Sequence, residues 1–221
     1  MTTLRVLSYN VRSLRDDPAA VARVIRAAAP DVVCIQEAPK WWRWRSRCAA
    51  LARESGLLVI SGGLPAGHNL LLCSVGVDVS ASDDVLLSRR FGLHQRGLTT
   101  AACSLGGARF RVAATHLDLD AAERRRHVEE IFAGLDESSG PVILGADVNE
   151  PAGSPAWAAL ATRLPECEAT GGTYPAAGAE RRIDGIFASR DIGVRSAVVL
   201  DSADVRLGSD HRPVLAQLEL P

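Results

Sequence analysis

The sequence predicts an α/β fold in which strands pair into two packed sheets with helices on the outside. Short apolar and β-branched runs, which are typical of strands, recur along the whole chain. Amphipathic segments with apolar residues spaced i, i+3, i+4 and i+7 separate some of these runs. Periodicity alone fits other α/β arrangements as well, so the polar residues at the strand ends must decide among them.

The first part of the chain predicts a strand, a helix and a second strand. Residues 4–9 form an apolar-rich strand that ends at Asn10. Asp17, which a proline follows, is typical of a helix N-cap with proline at the first helical position. Residues 31–36 are a short β-branched run that predicts a buried strand with Glu37 at its end.

The rest of the chain continues this alternation. Apolar runs predict strands at residues 57–60, 69–75, 98–105, 108–117, 142–147, 182–189, 194–200 and 213–220. Two more helices are predicted, one with an apolar face of Val128, Ile131, Phe132 and Leu135, and a shorter one that Ser154 and Pro155 begin. Because no repeat, low-complexity tract or linker divides the sequence, residues 1–221 are expected to form one domain.

The composition excludes several classes of protein. Twenty-five Lys and Arg against 26 Asp and Glu give a net charge of -1, which argues against a protein that coats long nucleic acid but leaves a local basic patch open. The five cysteines include no C-x-x-C pair, so zinc-site spacing is absent. No run approaches the roughly 18 to 20 apolar residues of a membrane-spanning helix. We expect a cytoplasmic monomer without stable membrane insertion.

Polar side chains stand at the ends or flanks of the predicted strands. They are Asn10, Glu37, His116, Asp147, Asn149, Asp184, Asp210 and His211. Rigid strands hold such side chains in place, and catalytic groups are commonly found there. Taken singly, each has an ordinary structural explanation, since an Asp or Asn after a strand is more often a turn former. Their combination is what indicates function.

Six segments, LSYNV, IQE, THL, GADVN, RIDGIF and SDHRPV, follow one another in this order. Together they resemble the successive signature motifs of the endonuclease/exonuclease/phosphatase family, also called DNase I-like, over residues 4 to 218. The resemblance implies a four-layer α/β/β/α sandwich of two packed mixed sheets, with the active site at one end of the sheets. It also implies a Mg²⁺-dependent phosphoesterase, with Mn²⁺ as the alternative metal.

The resemblance gives these residues roles in phosphoester hydrolysis. Glu37, with Asn10 and Asp210, supplies hard oxygen ligands of the kind that Mg²⁺ accepts. Asp184 and His211 form a carboxylate–histidine pair, in which His211 acts as a base or donates to a phosphate oxygen.

Three further residues complete this set. Asp147 orients or deprotonates the attacking water, and Asn149 donates a hydrogen bond to a non-bridging oxygen. His116 stabilises the transition state. The division of the base role between Asp147 and His211 stays open, as does the number of metal ions, one or two.

A segment rich in tryptophan and arginine, A-P-K-W-W-R-W-R-S-R, comes directly after Glu37. One interpretation is a substrate wall in which a base stacks on Trp41, Trp42 or Trp44 and a phosphate contacts Arg43, Arg45 or Arg47. The alternative is a helix start with solvated arginines and a buried stripe of Trp44, Cys48, Leu51 and Ala52. Arg181 and Arg182, near Asp184, are either further phosphate contacts or an exposed pair on a loop.

Three hypotheses for the function remain. The first is a metal-dependent phosphodiesterase, either a nuclease or an enzyme acting on a small diester, that uses in-line attack by an activated water. The second is a phosphomonoesterase acting on a sugar, inositol or nucleotide phosphate. The third is a non-catalytic binding module, which the intact polar set argues against. The expected partner is a phosphoester, with nucleic acids and nucleotides included.

Overall fold

A computed structural model describes residues 1–135 and 140–221 of the protein. The strands in these ranges are β1 (Thr2–Asn10), β2 (Val32–Gln36), β3 (Leu58–Gly63), β4 (Asn69–Cys73), β5 (Asp78–Leu86), β6 (Gly97–Leu105), β7 (Ala108–His116), β8 (Val142–Asp147), β9 (Asp184–Ala188), β10 (Gly193–Val199) and β11 (Val214–Leu220). The helices are α1 (Pro18–Ala28), α2 (Trp44–Ser55), α3 (Ala121–Gly134), α4 (Pro155–Arg163) and α5 (Ala203–Gly208). None of these helices is long and apolar enough to cross a membrane.

The described strands form two mixed sheets. The first has six strands in the order β10-β11-β1-β2-β4-β3, and the second has five in the order β5-β6-β7-β8-β9. β1 pairs with β2 in parallel, with α1 as the crossover between them, and β7 pairs with β8 in parallel across α3. The other neighbouring strands pair antiparallel.

Helices cover the outer face of each sheet. α1, α2 and α5 contribute buried side chains to an apolar cluster on the six-stranded sheet. α3 and α4 do the same on the five-stranded sheet. α1 begins as the sequence predicts, because the carboxylate of Asp17 accepts hydrogen bonds from the backbone N–H groups of Ala19 and Ala20. The four-layer α/β/β/α sandwich is therefore confirmed.

A third apolar cluster fills the space between the sheets. Its members come from alternate positions of facing strands, such as Val6 on β1, Cys34 on β2 and Ile143 on β8. This alternation follows from the two-residue period of a strand, in which successive side chains point to opposite faces. The same alternation determines which residues face the gap at the ends of the strands.

The two sheets approach each other closely at Gly145. A Cβ atom at this position would lie 2.4 Å from the Cβ of Cys34 on the facing sheet and 2.8 Å from its sulfur. Glycine is required here because no larger residue fits without moving one sheet away from the other. Since Gly145 lies two residues before the end of β8, this contact also fixes the position of Asp147.

Two described elements lay outside the sequence prediction. β5 was not predicted because its residues, DVSASDDVL, are mostly exposed and carry no apolar alternation. It is a strand because it pairs along its length with β6. α5 was also not predicted, since its six residues are too few for a periodic pattern.

We predict that Gly145→Ala destabilises the protein. The added methyl group overpacks the sheet interface, which typically lowers the free energy of unfolding by about 1 to 3 kcal/mol. Chemical denaturation of the purified protein measures this change. Gly76→Ala is the matched control, because a Cβ atom there meets nothing closer than 3.7 Å. Equal stability of the two variants would contradict the assigned contact.

Candidate active site

The core between the sheets is apolar along most of the strands, but polar residues occupy it at one end. Val6 and Ile143 belong to the inner core, and Asn10 and Asp147 follow four residues later on the same strands. Because alternate residues share a face, Asn10 and Asp147 point into the same gap from opposite sheets. Their side chains meet there, and Asn10 Nδ2 donates a hydrogen bond to Asp147 Oδ2 at 2.8 Å.

Three of the predicted residues form a row across the five-stranded sheet. His116 is the register partner of Asp147, and Asp147 is the register partner of Asp184. Neighbouring strands lie about 4.8 Å apart, so the three side chains stand next to one another on the same face. His116 Nε2 lies 3.3 Å from Asp147 Oδ2.

His211 reaches this row from the loop before β11. Its Nδ1 lies 2.9 Å from Asp184 Oδ2 and 3.1 Å from Oδ1, so the structure brings together the predicted carboxylate–histidine pair. Ser209 holds the loop in place, because its hydroxyl donates to the carbonyl of Asn10 at 2.7 Å and accepts from the backbone N–H of His211. The ring of Tyr174 packs on that of His211, with centroids 4.9 Å apart.

The charges of this cluster depend on one another. Burial lowers the pKa of His211, but the carboxylates of Asp184 and Asp147 outweigh it and raise that pKa to about 10. Burial raises the pKa of Asp147 to about 7, with a further contribution from Asp184, while His211 acts in the opposite direction. At neutral pH the cluster therefore combines a cationic His211 with an Asp147 that gains or loses a proton readily.

The pKa of His116 shifts in the opposite direction to that of His211. Burial lowers its pKa well below the ordinary value, and the positive charges of Arg96 and His211 lower it further. Asn149 Nδ2 lies 2.7 Å from His116 Nε2 and donates to the carbonyl of Leu117 at 2.9 Å. His116 is thus a neutral imidazole that accepts a hydrogen bond at Nε2.

Glu37 stands at the end of β2 in a left-handed backbone conformation, with φ at 50°. Two backbone hydrogen bonds impose this turn, from Val11 to the carbonyl of Gln36 at 3.0 Å and from Ser13 to the carbonyl of Glu37 at 2.7 Å. A non-glycine residue keeps such a conformation only where its surroundings fix it, and these positions cluster at functional sites. Its carboxylate lines the cleft, 3.7 Å from the ammonium group of Lys40.

Two groups of side chains offer ligands for a divalent metal. Asp147, Asp184 and His211 have ligand atoms within 4.8 Å of one another. The Nδ1 of His211 is already engaged by Asp184, however, which reduces the capacity of this group. Among the described residues, the carboxylate of Glu37 has only Lys40 as an ion-pair partner, and the side chain of Asn10 lies at the neighbouring strand end. These hard oxygens fit Mg²⁺, which keeps several of its waters.

Asp210, the third predicted metal ligand, forms an ion pair with Arg12. Its Oδ2 is 3.3 Å from Nε of Arg12. The backbone N–H of Arg12 also donates to Asn10 Oδ1 at 3.0 Å, so Arg12 connects these two residues. The assignment of Asp210 as a metal ligand stays a prediction.

Several of the predicted site residues line a cleft of about 270 Å³, which they share with a group of basic residues. Glu37, Asp147, Asn149 and His211 line it together with Lys40, His68, His94 and Arg96. The six ordered motifs do not include His68, His94 or Arg96, so these three residues were not predicted as site residues. One signal was present, since the polar segment HQRG directly precedes a buried strand and therefore stands at a strand end.

The predicted substrate-binding residues lie partly outside this cleft. Trp41 and Trp42 are 79% and 87% exposed, and they follow Lys40 directly in the sequence. The guanidinium carbon of Arg43 is 5.7 Å from the Trp42 ring centroid, and that of Arg45 is 4.3 Å from the Trp44 ring. The helical interpretation of the segment holds from Trp44 onward, since α2 buries Cys48, Leu51 and Ala52.

Arg182 lies away from the residues that line the cleft. It forms an ion pair with Glu166, and its guanidinium carbon lies 5.0 Å from the centroid of the Trp157 ring. Arg181 likewise stands over the ring of Tyr174, at 5.3 Å. The role of Arg182 in substrate binding stays a prediction.

The sequence profile described as Endonuclease/Exonuclease/phosphatase family matches residues 7–211. The chain belongs to this family. Its fold is similar to an endonuclease/exonuclease/phosphatase from Bacteroides vulgatus, at 21% identity over 100% of both chains with a TM-score of 0.83. It is also similar to a mannosyl-6-phosphatase from Bacteroides thetaiotaomicron, at 19% identity over 98% of this chain and 100% of that one, with a TM-score of 0.84.

A third similar structure is D. rerio TDP2 complexed with a single-strand DNA product. It is 17% identical over 99% of this chain and 100% of that one, with a TM-score of 0.76. No protein with curated function matches the sequence. At these identities the solved structures establish the DNase I-like fold. The enzymes of the family to which the chain belongs are hydrolytic phosphoesterases.

We predict that Asp184→Asn lowers the pKa of His211. The substitution removes the carboxylate that contributes most to raising this pKa, while the burial that lowers it remains. Histidine NMR signals followed through a pH titration of the metal-free protein measure the change. Asp191→Asn, at an exposed aspartate, is the matched control and should leave the titration unaltered. An unchanged His211 titration in Asp184→Asn would contradict the pairing.

Proposed function

We propose that the protein is a metal-dependent phosphodiesterase, either a nuclease or a hydrolase of small diesters, that uses in-line attack by an activated water. One observation carries the proposal. The hydrogen-bonded pair of Asn10 and Asp147 joins the two sheets between the cationic His211 and the carboxylate of Glu37, all within one cleft or at its edge. Hydrolysis of a phosphoester needs these three elements, which are charge neutralisation, a water-activating group and a proton donor.

Mg²⁺ held by Glu37 and Asn10 would supply charge neutralisation at the phosphate when it is bound. Asp147 is suited to take a proton from the attacking water, because its raised pKa of about 7 lies near the working pH. His211 is suited to donate to a phosphate oxygen, because Asp184 keeps its imidazole cationic. These charges favour Asp147 as the base and His211 as the donor.

Asn149 and His116 complete the phosphate-binding wall. Asn149 contacts His116 Nε2 and the carbonyl of Leu117, so its amide is held at the cleft in one orientation. Both N–H groups of this amide are engaged in these contacts, so Asn149 would have to exchange one of them for a non-bridging oxygen in order to stabilise the charge that develops in the transition state.

The exposed Trp41 and Trp42 extend the substrate-binding surface beyond the cleft. They follow Lys40, which lines the cleft, and Arg43 lies beside Trp42, whereas Arg45 stands over Trp44 at the start of α2. Exposed indole rings next to cations suit a nucleotide or a single-stranded end, in which a base stacks and a neighbouring phosphate meets an arginine. We propose this class of substrate over long double-stranded DNA.

A phosphomonoesterase is the second candidate, and one observation favours it. The cleft is small, at about 270 Å³, and the cations Lys40 and Arg96 reach into it, which suits a terminal phosphate with two negative charges. The similar mannosyl-6-phosphatase from Bacteroides thetaiotaomicron gives this alternative a precedent within the fold.

Hydrolysis assays with Mg²⁺ or Mn²⁺ test the proposal. The substrates are plasmid DNA, single-stranded DNA and RNA, an aryl phosphodiester, an aryl phosphomonoester and an inositol phosphate. We expect diester hydrolysis that EDTA abolishes, and we expect His211→Ala to lower kcat/KM by about a hundred- to ten-thousand-fold. Release of inorganic phosphate from the monoesters alone would select the second candidate. A kcat/KM in His211→Ala equal to that of the wild-type protein would contradict the site assignment.

Metal binding provides a separate prediction. Glu37→Gln should weaken Mn²⁺ binding by more than about a hundredfold, because it removes a direct metal ligand. Removing a residue that only supports a ligand typically costs roughly ten- to hundredfold in metal affinity. Calorimetric titration of the purified protein with Mn²⁺ measures the affinity. Glu168→Gln, at an exposed glutamate, controls for the loss of one negative charge. Equal Mn²⁺ affinity of both variants would contradict the assignment of Glu37 as a metal ligand.

A further inference from the structure

We infer that Arg96, together with Lys40 and His94, forms a second anion-binding subsite in the cleft, which takes an additional phosphate group of the substrate. The inference rests on the proposed function, because the subsite would hold a part of the same substrate that is hydrolysed beside it. It narrows the substrate to molecules that carry a phosphate group next to the scissile phosphoester, such as nucleotides with a terminal phosphate.

The state of Arg96 is the main observation. Only 7% of the residue is exposed, yet it lines the cleft. Its Nε is 3.6 Å from Asp118 Oδ2, too far for a hydrogen bond, and neither atom has a hydrogen-bond partner among the described residues. A buried guanidinium normally has its hydrogen bonds satisfied, since leaving them unmade is costly. Because Nε faces Asp118, a phosphate in the cleft would instead accept from the terminal nitrogens of the guanidinium, for which the described residues supply no hydrogen-bond acceptor, in a charge-assisted contact.

The ion pair with Asp118 is weak compensation for this buried charge. Burial lowers the pKa of Arg96, and the nearby carboxylates of Asp147, Asp118 and Glu37 offset it only in part. Asp118 itself is held below the cleft, because its Oδ1 accepts from the backbone N–H of Asp120 and its carbonyl accepts from Arg124. It can orient the guanidinium, but it leaves the remaining N–H groups available to a ligand.

The backbone around Arg96 is fixed by close packing. A Cβ atom at Gly67 would lie 2.5 Å from the carbonyl carbon of Arg96, and one at Gly97 would lie 2.4 Å from that of Ala66. The buried amide of Asn69 donates to the carbonyls of Ala66 and Gly97, at 2.8 Å each. Arg96 is therefore presented from a rigid support, as a binding group requires.

Strand order separates this subsite from the catalytic cluster. Arg96 directly precedes β6, which pairs with β7, the strand of His116, and β7 pairs with β8, the strand of Asp147. Two strand spacings of about 4.8 Å thus separate the main chain near Arg96 from that of Asp147. The main chain that carries Arg96 therefore lies one strand beyond His116, and an anion bound on the far side of its guanidinium group would be a different group from the phosphate between Asp147 and His211.

Other basic side chains line the same part of the cleft. The ammonium group of Lys40 is 3.7 Å from Glu37, and the exposed His94 lies two residues before Arg96. His68 also lines the cleft, and its Nδ1 is buried without a hydrogen-bond partner among the described residues. A phosphate group, with several oxygens and up to two negative charges, matches this set of donors better than a single carboxylate does.

The first test is a binding measurement that does not depend on turnover. Thymidine 3′,5′-bisphosphate and thymidine 3′-monophosphate differ by one phosphate group. We expect the wild-type protein with Mg²⁺ to bind the bisphosphate at least about tenfold more tightly, as one charge-assisted contact allows. In Arg96→Gln this difference should disappear, and in Arg96→Lys it should return in part. Calorimetric titration measures the affinities, and thermal unfolding checks that each variant is folded.

The second test uses the matched chromogenic substrates thymidine 3′-(4-nitrophenyl phosphate) and its 5′-phosphorylated form. The wild-type protein should prefer the phosphorylated form, mainly through a lower KM, and Arg96→Gln should bring the ratio of the two kcat/KM values close to one. Arg109→Gln, at an exposed arginine on β7, should keep the wild-type ratio. A wild-type protein without preference, or a ratio unchanged in Arg96→Gln and Arg96→Lys, overturns the subsite.

These outcomes separate the subsite from the proposed function. If the wild-type protein hydrolyses neither substrate but still binds the bisphosphate more tightly through Arg96, the subsite stands and the diesterase proposal fails. If it hydrolyses both at equal kcat/KM and binds both ligands equally, the diesterase proposal stands and the subsite fails. An equal loss on both substrates in Arg96→Gln, with unchanged folding, would place Arg96 at the reacting phosphate instead.

Discussion

The buried carboxylate of Asp147 is the interaction on which the rest of the site depends. It lies at the end of a core strand, fully buried, and accepts hydrogen bonds from Asn10 on the opposite sheet and from the backbone of Asn149. An isolated carboxylate in this place would be strongly disfavoured, so the neighbouring residues must donate to it or carry positive charge. His211 and Asn10 meet this requirement, and Gly145 allows the two sheets to come close enough for the contact.

The consequence is a cleft with two electrostatic parts. Around Asp147, the carboxylates of Asp147 and Asp184 face the cationic His211, so the pKa of each group depends on the charge of the others. In the other part of the cleft, the positive charge of Lys40 faces the negative charge of Glu37, and that of Arg96 faces Asp118. An anionic substrate that spans both parts would meet proton-transfer groups at one end and fixed cations at the other. A divalent metal held by Glu37 would add positive charge to the cleft.

The sequence allowed the fold and the polar row to be predicted because both follow from local patterns. Strand alternation determines that Asn10 and Asp147 share a gap, and their position after apolar runs is visible in the sequence. Arg96 could not be found in the same way. Its importance comes from burial without hydrogen bonds and from the approach of Gly67 to its backbone, which only the folded chain brings about. β5 was missed for a related reason, since pairing with β6 defines it more than its own composition does.

The size of the cleft limits how much of a substrate the protein can enclose. Its volume of about 270 Å³ is at or below the lower end for small-molecule sites, which begin at roughly 300 Å³. A site of this size encloses only the phosphate-bearing end of a nucleotide, and the rest of a larger substrate must lie outside it. Trp41 and Trp42 are exposed just beyond Lys40, where such a remainder would emerge. Enclosed phosphates and an exposed aromatic platform together favour a nucleotide or a strand end over a duplex, whose phosphates are spread along a wide surface.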